Sequence, residues 1–345
     1  MVLRTALIGA GAIGKLRAQA VTQAPDFKLT VVADLDVKLA ESLAAETSAV
    51  ATTDVFAAVR RPDVDMVIVS TPPHVHADIT LAALEAGKHV LCEKPLANTL
   101  EAALRMCETA EARGLQLRTG FNHRYFPSMA KARQMIEHGD IGKIIIAKAY
   151  AGHPGGAEFG HEWVHDGRVT GGGSLVDNGI HILDLLRFFI GDVTTATGYK
   201  TNLVWDFPDA EDNGFALFRT KDGAVAQLQA SWTEWRGYRF WVEVVGTKGY
   251  VRASYPPMWL ESGLTPEPGI RAKRKIDLFP AFQVRERLYS WSWTIVESFK
   301  AELSDFAAAV NGKSAGGATG RDGLRAMQMA HAVYESSRTG GEVDV

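Results

Sequence analysis

The stretch Leu3-Arg4-Thr5-Ala6-Leu7-Ile8-Gly9-Ala10-Gly11-Ala12-Ile13-Gly14 decides how the rest of the chain is read. Leu3 to Ile8 is a short apolar run that suits a buried parallel strand. It leads straight into G-x-G-x-x-G, and Ile13 to Thr22 reads as a helix. The glycine pattern alone is weak evidence, because the chain holds 33 glycines. Between a strand and a helix it stands where a dinucleotide fingerprint belongs. Gly9 allows the tight turn, Gly11 lets the backbone approach a pyrophosphate, and Gly14 lets helix and strand pack closely. The N–H groups at the helix start, around Ala12 and Ile13, then face the phosphates. Asp34 ends the next expected strand, Leu29 to Asp34, 20 residues after Gly14. A carboxylate there accepts hydrogen bonds from ribose hydroxyls and repels a 2′-phosphate. No Arg or Lys follows it in Ala33-Asp34-Leu35-Asp36, so the residues favour NAD over NADP. The plain alternative is a tight structural turn that holds no nucleotide.

Outward from this motif the chain alternates between strand and helix periods. Helices are expected at Asp36–Glu46, with Asp36 as N-cap, at Val75–Ala86, and at Thr99–Arg113, with Thr99 as N-cap and Gly114 as stop. Strands are expected at Met66–Ser70, His89–Cys92 and Leu115–Thr119. This order predicts a doubly wound parallel sheet, the Rossmann arrangement, over residues 1–121. After about residue 122 the pattern changes. Helices are expected at Met129–His138 and Ser174–Ile190. Strands are expected at Ile144–Ala151, Thr194–Val204, Asn213–Arg219, Ala224–Trp232, Tyr238–Val245 and Tyr250–Ala253. Lys221-Asp222-Gly223 and Gly246-Thr247-Lys248-Gly249 are turn signals. Short turns between strands make neighbours antiparallel. Residues 122–345 therefore read as an α+β domain on a mainly antiparallel sheet. Leu260 to Phe282 reads as loop, and Trp293–Asn311 and Arg321–Arg338 as closing helices.

Composition excludes several classes. The 345 residues are 46% hydrophobic and 22% charged, with net charge −3. A domain usually needs about 100–200 residues, so two are expected. The balance is globular, and no basic block points to nucleic acid or an anionic membrane surface. No apolar run is long enough for a transmembrane helix. Cys92 and Cys107 make no disulfide framework or zinc spacing and read as buried thiols in a reducing compartment. No signal peptide is expected, and the protein is expected in the cytoplasm.

Two further motifs carry chemistry. Glu93-Lys94-Pro95 directly follows an expected strand, where ligands of such sheets bind, and Pro95 keeps Lys94 out of the helical region. A lysine there can hydrogen-bond a substrate hydroxyl and lower its pKa; a solvated loop lysine is the alternative. Downstream, Gly171-Gly172-Gly173-Ser174-Leu175-Val176-Asp177-Asn178-Gly179-Ile180-His181 puts an acid and a histidine four residues apart. On one helix face Asp177 would orient His181 and raise its basicity, which suits a general base. A core histidine satisfied by a neighbour is the alternative. His153, His161, His165 and Asp166 lie upstream but form no recognised metal pattern, and no metal is expected.

These motifs, in this order, resemble the Gfo/Idh/MocA oxidoreductases (glucose–fructose oxidoreductase and inositol dehydrogenase relatives). Ser70-Thr71-Pro72-Pro73-His74-Val75-His76-Ala77 is similar to the family's third-strand signature. Ala86-Gly87-Lys88-His89-Val90-Leu91-Cys92-Glu93-Lys94-Pro95-Leu96-Ala97 is close to its consensus, and Gly120-Phe121-Asn122-His123-Arg124-Tyr125 looks like its crossing between domains. The resemblance implies that Lys94, Asp177 and His181 form the catalytic set, and that Ser70, Thr71, Pro72, His76, Glu93 and Lys94 join the glycine loop around the cofactor. It also implies that the antiparallel sheet of residues 122–345 is large and open, and that the last helix, 321–338, can pack back on the first domain.

Substrates of such enzymes are mostly cyclic polyols, sugars and sugar derivatives. Besides Lys94 and His181, the expected substrate contacts are Arg124, Tyr125, His153, His161, Trp163, His165 and Asn178. Trp163 would stack on a sugar face. Arg124 would hold an anionic group or make an ion pair. The expected function is NAD-dependent oxidation, or the reverse reduction, of a secondary alcohol. A glycoside hydrolase using NAD for transient oxidation, elimination and re-reduction is one alternative, and a non-catalytic NAD-binding regulator is another. Phe240 and Val242 alternate with Trp241 and Glu243 along one strand, with Trp232 and Trp235 nearby. An apolar sheet face of this kind predicts a homodimer or homotetramer, unless the segment Leu260 to Phe282 covers it.

Overall fold

β1 (Leu3–Ile8) runs into α1 (Ala12–Gln23) in the computed structural model, which describes residues 2–156, 162–267, 269–313 and 316–345. Then come β2 (Phe27–Ala33), α2 (Val37–Thr47), β3 (Val50–Thr52), α3 (Val55–Val59), β4 (Met66–Val69), α4 (His76–Glu85), β5 (His89–Cys92), α5 (Leu100–Ala112) and β6 (Leu117–Thr119). The six strands pair in the order β3-β2-β1-β4-β5-β6, all parallel. Asp36 and Thr99 cap α2 and α5 through Lys38 N and Ala102 N, as their sequence positions predict. β3 escapes the sequence reading because three residues show no period; its pairing with β2 alone makes it a strand. Strand order reverses between β1 and β4. Ser70 N donates to Ile8 O at 2.7 Å, which brings Gly9 and Ser70 together at the carboxyl ends of both strands. That is where open α/β sheets bind ligands. Cys92 and Cys107 are free and buried, and burial pushes the Cys107 thiol up to about 11.

The chain continues with α6 (Pro127–Glu137), β7 (Ile144–Gly152), α7 (Gly167–Thr170), α8 (Gly179–Ile190), β8 (Val193–Thr201), β9 (Asn213–Thr220) and β10 (Val225–Ser231). It ends with β11 (Arg239–Gly246), β12 (Gly249–Tyr255), β13 (Trp259–Leu264), β14 (Lys273–Leu278), α9 (Pro280–Tyr289), α10 (Trp291–Val310), α11 (Gly320–Thr339) and β15 (Val343–Asp344). Nine strands form one sheet, β14-β13-β12-β11-β7-β10-β9-β8-β15. Every pair is antiparallel except β7–β10. α8 packs on its central strands, and Phe240 and Val242 of β11 are buried.

Two expectations need correction. The segment read as loop, Leu260 to Phe282, holds β13 and β14, and α9 follows from Pro280. β14 is nearly all exposed, so it carries no buried side-chain period, and its pairing with β13 defines it. The helix expected from Ser174 starts at Gly179. Gly179 N reaches back to Ser174 O at 2.8 Å, and a Cβ on Gly179 would lie 2.8 Å from Ala230 Cβ, so a turn precedes the helix. By packing, the chain forms two compact units that each draw on two stretches of sequence. One compact unit comprises the chain up to Tyr125 together with Tyr289–Leu324; the other comprises Phe126–Leu288 and Arg325–Val345. The reason lies in α10, whose Val296, Phe299, Leu303 and Phe306 join the core formed by Leu7, Val21, Leu29 and Val32. Only the first turn of α11 belongs to the first unit, where a Cβ on Gly323 would lie 2.3 Å from Thr119 Oγ1.

Candidate active site

In the first unit the three glycines differ as their positions predict. Gly9 has φ +97°, and a Cβ there would meet Ser70 O at 2.5 Å. A Cβ on Gly14 would lie 2.0 Å from Gly9 O, so only glycine lets α1 pack on β1. Around Gly11 a Cβ would meet nothing within 4 Å. This open space lies at the N-cap of α1, ahead of Ala12 and Ile13, where no side chain caps the helix. Asp34 accepts from Ala10 N at 2.6 Å and Asp36 N at 2.9 Å, one bond on each oxygen, which locks its carboxylate to the glycine loop. Ser70 Oγ and Thr71 Oγ1 are buried without a hydrogen-bond partner. Buried hydroxyls left unpaired carry a cost that a ligand's polar groups remove. Open space at a helix N-terminus, a fixed acid and two waiting hydroxyls fit a dinucleotide. Pro72 leads into a short 3-10 turn, Pro73–Val75. His76 is buried with its nitrogens facing Thr71 O at 2.7 Å and Pro95 O at 3.0 Å. It ties the loop after β4 to the loop after β5, and burial holds its pKa below the usual histidine value.

Glu93 N donates to Val69 O, and its carboxylate accepts from Arg17 Nε at 2.6 Å. Arg17, on α1, is fully buried, lies 3.5 Å over the Phe299 ring and also binds Glu302. A Cβ on Gly120 would come within 2.8 Å of Arg17 Nη2 and 2.9 Å of Glu93 Oε2. Burial pushes Glu302 up to about 7, against the pull of Arg17. The Lys94–Pro95 bond is cis, and Lys94 is half-buried. His123 faces the Lys94 ammonium. Burial, and then this charge, push it down to about 3, so the ring stays neutral. The two residues after His123, expected as substrate contacts, have other partners in the same unit. Arg124 pairs with Asp322 at 3.7 Å, and Tyr125 donates to Asp305 at 2.9 Å. Arg124 is buried, at 7% exposure, and Tyr125 half-buried, where α10 and α11 supply acids beside them.

In the second unit Asp177 sits in the turn before α8 and His181 in its first turn. Asp177 Oδ2 accepts from His153 Nε2 and from Trp232 Nε1, both at 3.1 Å. Gly155 N donates to His153 Nδ1, which places the ring proton on Nε2, toward Asp177. His153, expected to touch substrate, is thus engaged with the acid. His165 stacks on Phe207 at 4.1 Å, and Asp166 caps α7 and pairs with Arg168. Trp163 is half-buried in a 3-10 turn, Glu162–His165. Asn178 Nδ2 donates to Ser231 O at 3.4 Å, while its buried Oδ1 has no partner. His161 lies outside the described residues. Sequence reasoning missed Trp232, Trp205 and Glu211 here. Trp205 Nε1 donates to Trp232 O at 2.9 Å. The available signal was the acidic pair Glu211-Asp212 immediately before a strand.

Residues 3–121 match the oxidoreductase family with an NAD-binding Rossmann fold, and residues 129–252 match the GFO/IDH/MocA C-terminal domain. The chain belongs to the Gfo/Idh/MocA oxidoreductases. It is 30% identical over 350 residues to an inositol 2-dehydrogenase of Rhizobium meliloti, covering 97% of each chain. It is 29% identical over 349 residues to inositol 2-dehydrogenase 3 of Saccharopolyspora erythraea, covering 100% of this chain and 96% of that one. A solved levoglucosan dehydrogenase in complex with NADH superposes with TM-score 0.89 at 26% identity, over 100% of this chain and 99% of the other. The oxidoreductase depends on NAD, and the cradle around Gly9, Gly11, Asp34, Ser70 and Thr71 fits that cofactor. Among the described residues no helix is long and apolar enough to cross a membrane.

Proposed function

We propose that this oxidoreductase oxidises, reversibly, a secondary alcohol of a cyclic polyol, sugar or sugar derivative, with Lys94, Asp177 and His181 as its catalytic residues. The observation that carries the reading is the fixing of Asp177. Two N–H groups donate to one carboxylate oxygen, the arrangement a charged acid accepts, and His181 follows four residues later. His181 takes the hydroxyl proton, and the negative charge of Asp177 favours the protonated ring. The Lys94 ammonium donates to the same oxygen and lowers the cost of its negative charge. His123, held neutral, leaves that ammonium as the local positive charge. Asn178 Oδ1 accepts from a neighbouring hydroxyl, and Trp163 offers a face to ring C–H groups. Bound NAD supplies the acceptor for the hydride. The relatives named for inositol and levoglucosan support the substrate class. The protein works in the cytoplasm as a homodimer or homotetramer.

The test is absorbance at 340 nm with NAD and a panel of inositols, free sugars and glycosides, with products analysed in parallel. NADH accumulating with one of them is expected, and Lys94→Ala should lower turnover far more than NAD affinity. Free sugar released from a glycoside without NADH would replace the dehydrogenase with a hydrolase. Wild-type turnover in Lys94→Ala would remove the lysine from the catalytic set.

A further inference from the structure

Glu211 is a buried carboxylate, 3% exposed, that none of these chemical roles uses. It lies just before β9, and its carboxylate grips the glycine run ahead of Asp177. Oε2 accepts from Gly173 N at 2.8 Å and Oε1 from Leu175 N at 2.7 Å. Ser174 N completes the bracket by donating to the Glu211 carbonyl at 2.9 Å. Tyr334, on α11 of the same unit, donates its hydroxyl to Oε1 at 3.1 Å. The packing leaves no slack. A Cβ on Gly172 would lie 2.1 Å from the Tyr334 hydroxyl, and a Cβ on Gly173 2.1 Å from Glu211 O. Asp177 N then donates to Gly173 O at 2.9 Å, so the clamped turn fixes the backbone of the acid itself.

The neighbouring residue grips the other side. Asp212 Oδ2 accepts from Leu203 N at 2.8 Å and Val204 N at 2.7 Å. Its carbonyl accepts from Trp232 N at 2.7 Å, and Trp232 Nε1 donates to Asp177. One dipeptide therefore sets both the turn that carries Asp177 and the tryptophan that holds its side chain.

We propose that Glu211, braced by Tyr334, is a positioning residue for Asp177 and His181. It touches neither substrate nor cofactor. It supplies acceptors for two backbone N–H groups of a buried turn, which would otherwise be left unpaired away from water. The function of the clamp is geometric: a catalytic group displaced by about 1 Å can lose on the order of a hundredfold in rate. Burial raises the pKa of Glu211, while the two backbone donors favour its charged form.

This inference rests on the catalytic assignment of Asp177 and His181, and its test separates the two. Glu211→Gln turns one oxygen into an NH2 group that opposes a backbone N–H donor. Expected are a fall in kcat of at least about tenfold, a substrate KM within about threefold, and an unchanged NAD Kd by fluorescence titration. Tyr334→Phe should give a smaller fall in the same direction, with little added in the double variant, because both act through one contact. Hydrogen exchange over residues 171–178 should accelerate in Glu211→Gln; this readout needs no turnover. A folded Glu211→Gln with wild-type kcat and unchanged exchange would overturn the proposal. Accelerated exchange without any dehydrogenase activity in the wild-type protein would keep the clamp and reject the catalytic reading. If Glu211→Gln does not fold, Tyr334→Phe with wild-type kcat and exchange overturns it instead.

Discussion

Lys94 shares its surroundings with a histidine that stays neutral, and this has a cost at low pH. In an unfolded chain His123 takes a proton near 6.5; in the native protein it does so only near about 3. Between these values the unfolded state binds more protons, so stability falls as pH drops below 6.5, by up to about 1.4 kcal/mol per pH unit. His76, also lowered by burial, acts in the same direction. Glu302, raised to about 7, acts oppositely: its contribution is present in acid and is lost as pH rises through 7. Comparing wild type with His123→Gln isolates the first effect. The difference in urea midpoint between pH 6.5 and 4.5 should shrink in the variant, and equal slopes would exclude His123 as the source. The sequence made placement legible where a motif ties a residue type to a strand end, as for Gly9, Asp34 and Lys94. It did not reveal the partners of Arg124 and Tyr125, because Asp322 and Asp305, which engage them, lie about 180 to 200 residues further on. It singled out Asp177 but not Trp232, just after β10, as the side-chain donor to it, since no spacing rule links a residue in a turn to one so far along the chain.

For α1 and its glycine loop, space and function separate cleanly. Gly11→Ala puts a methyl group into open space at a φ of −70°, which alanine accepts. The fold should keep its melting temperature within a degree or two while NAD binding weakens at least about tenfold, because the methyl occupies the pyrophosphate approach. Gly14→Ala instead drives a Cβ to 2.0 Å from Gly9 O and should lower the melting temperature markedly. Differential scanning fluorimetry with and without NAD reads both; a Gly11→Ala protein that binds NAD normally would place the pyrophosphate elsewhere. The parallel sheet was legible because each strand is a dense apolar run between glycine and helix signals. β14 was not, since Lys273-Arg274-Lys275 faces solvent and only backbone pairing holds it. The start of α8 was misread because Gly179 resembles an ordinary helix interior until its contact with Ala230 is seen.

Over the whole molecule, the outer face of the nine-stranded sheet is mixed in character. Tyr150 stacks on Trp241 at 6.3 Å, Arg252 lies 4.2 Å over that indole, and Lys148 pairs with Glu243 at 3.2 Å. Toward β8 and β9 it turns apolar. Tyr199 and Phe215 are register partners, both exposed, and Leu217 follows on the same face at 52% exposure. If copies associate here, light scattering should give two or four times the 37.5 kDa of one chain, and Phe215→Glu with Leu217→Glu should reduce it. A wild-type mass of a single chain would sink that expectation.

The return of α10 to the first unit also sets an order of events on the ribosome. Arg17 is among the first buried charges to be synthesised, yet Glu302 follows it by 285 residues. At roughly 5–20 residues per second that interval is about 15–60 s. Throughout it the nascent nucleotide-binding sheet lacks both the apolar face of α10 and one of the two carboxylates that neutralise its buried guanidinium. The first unit of the emerging chain therefore stays incomplete, exposed to chaperones and proteases, until α10 appears.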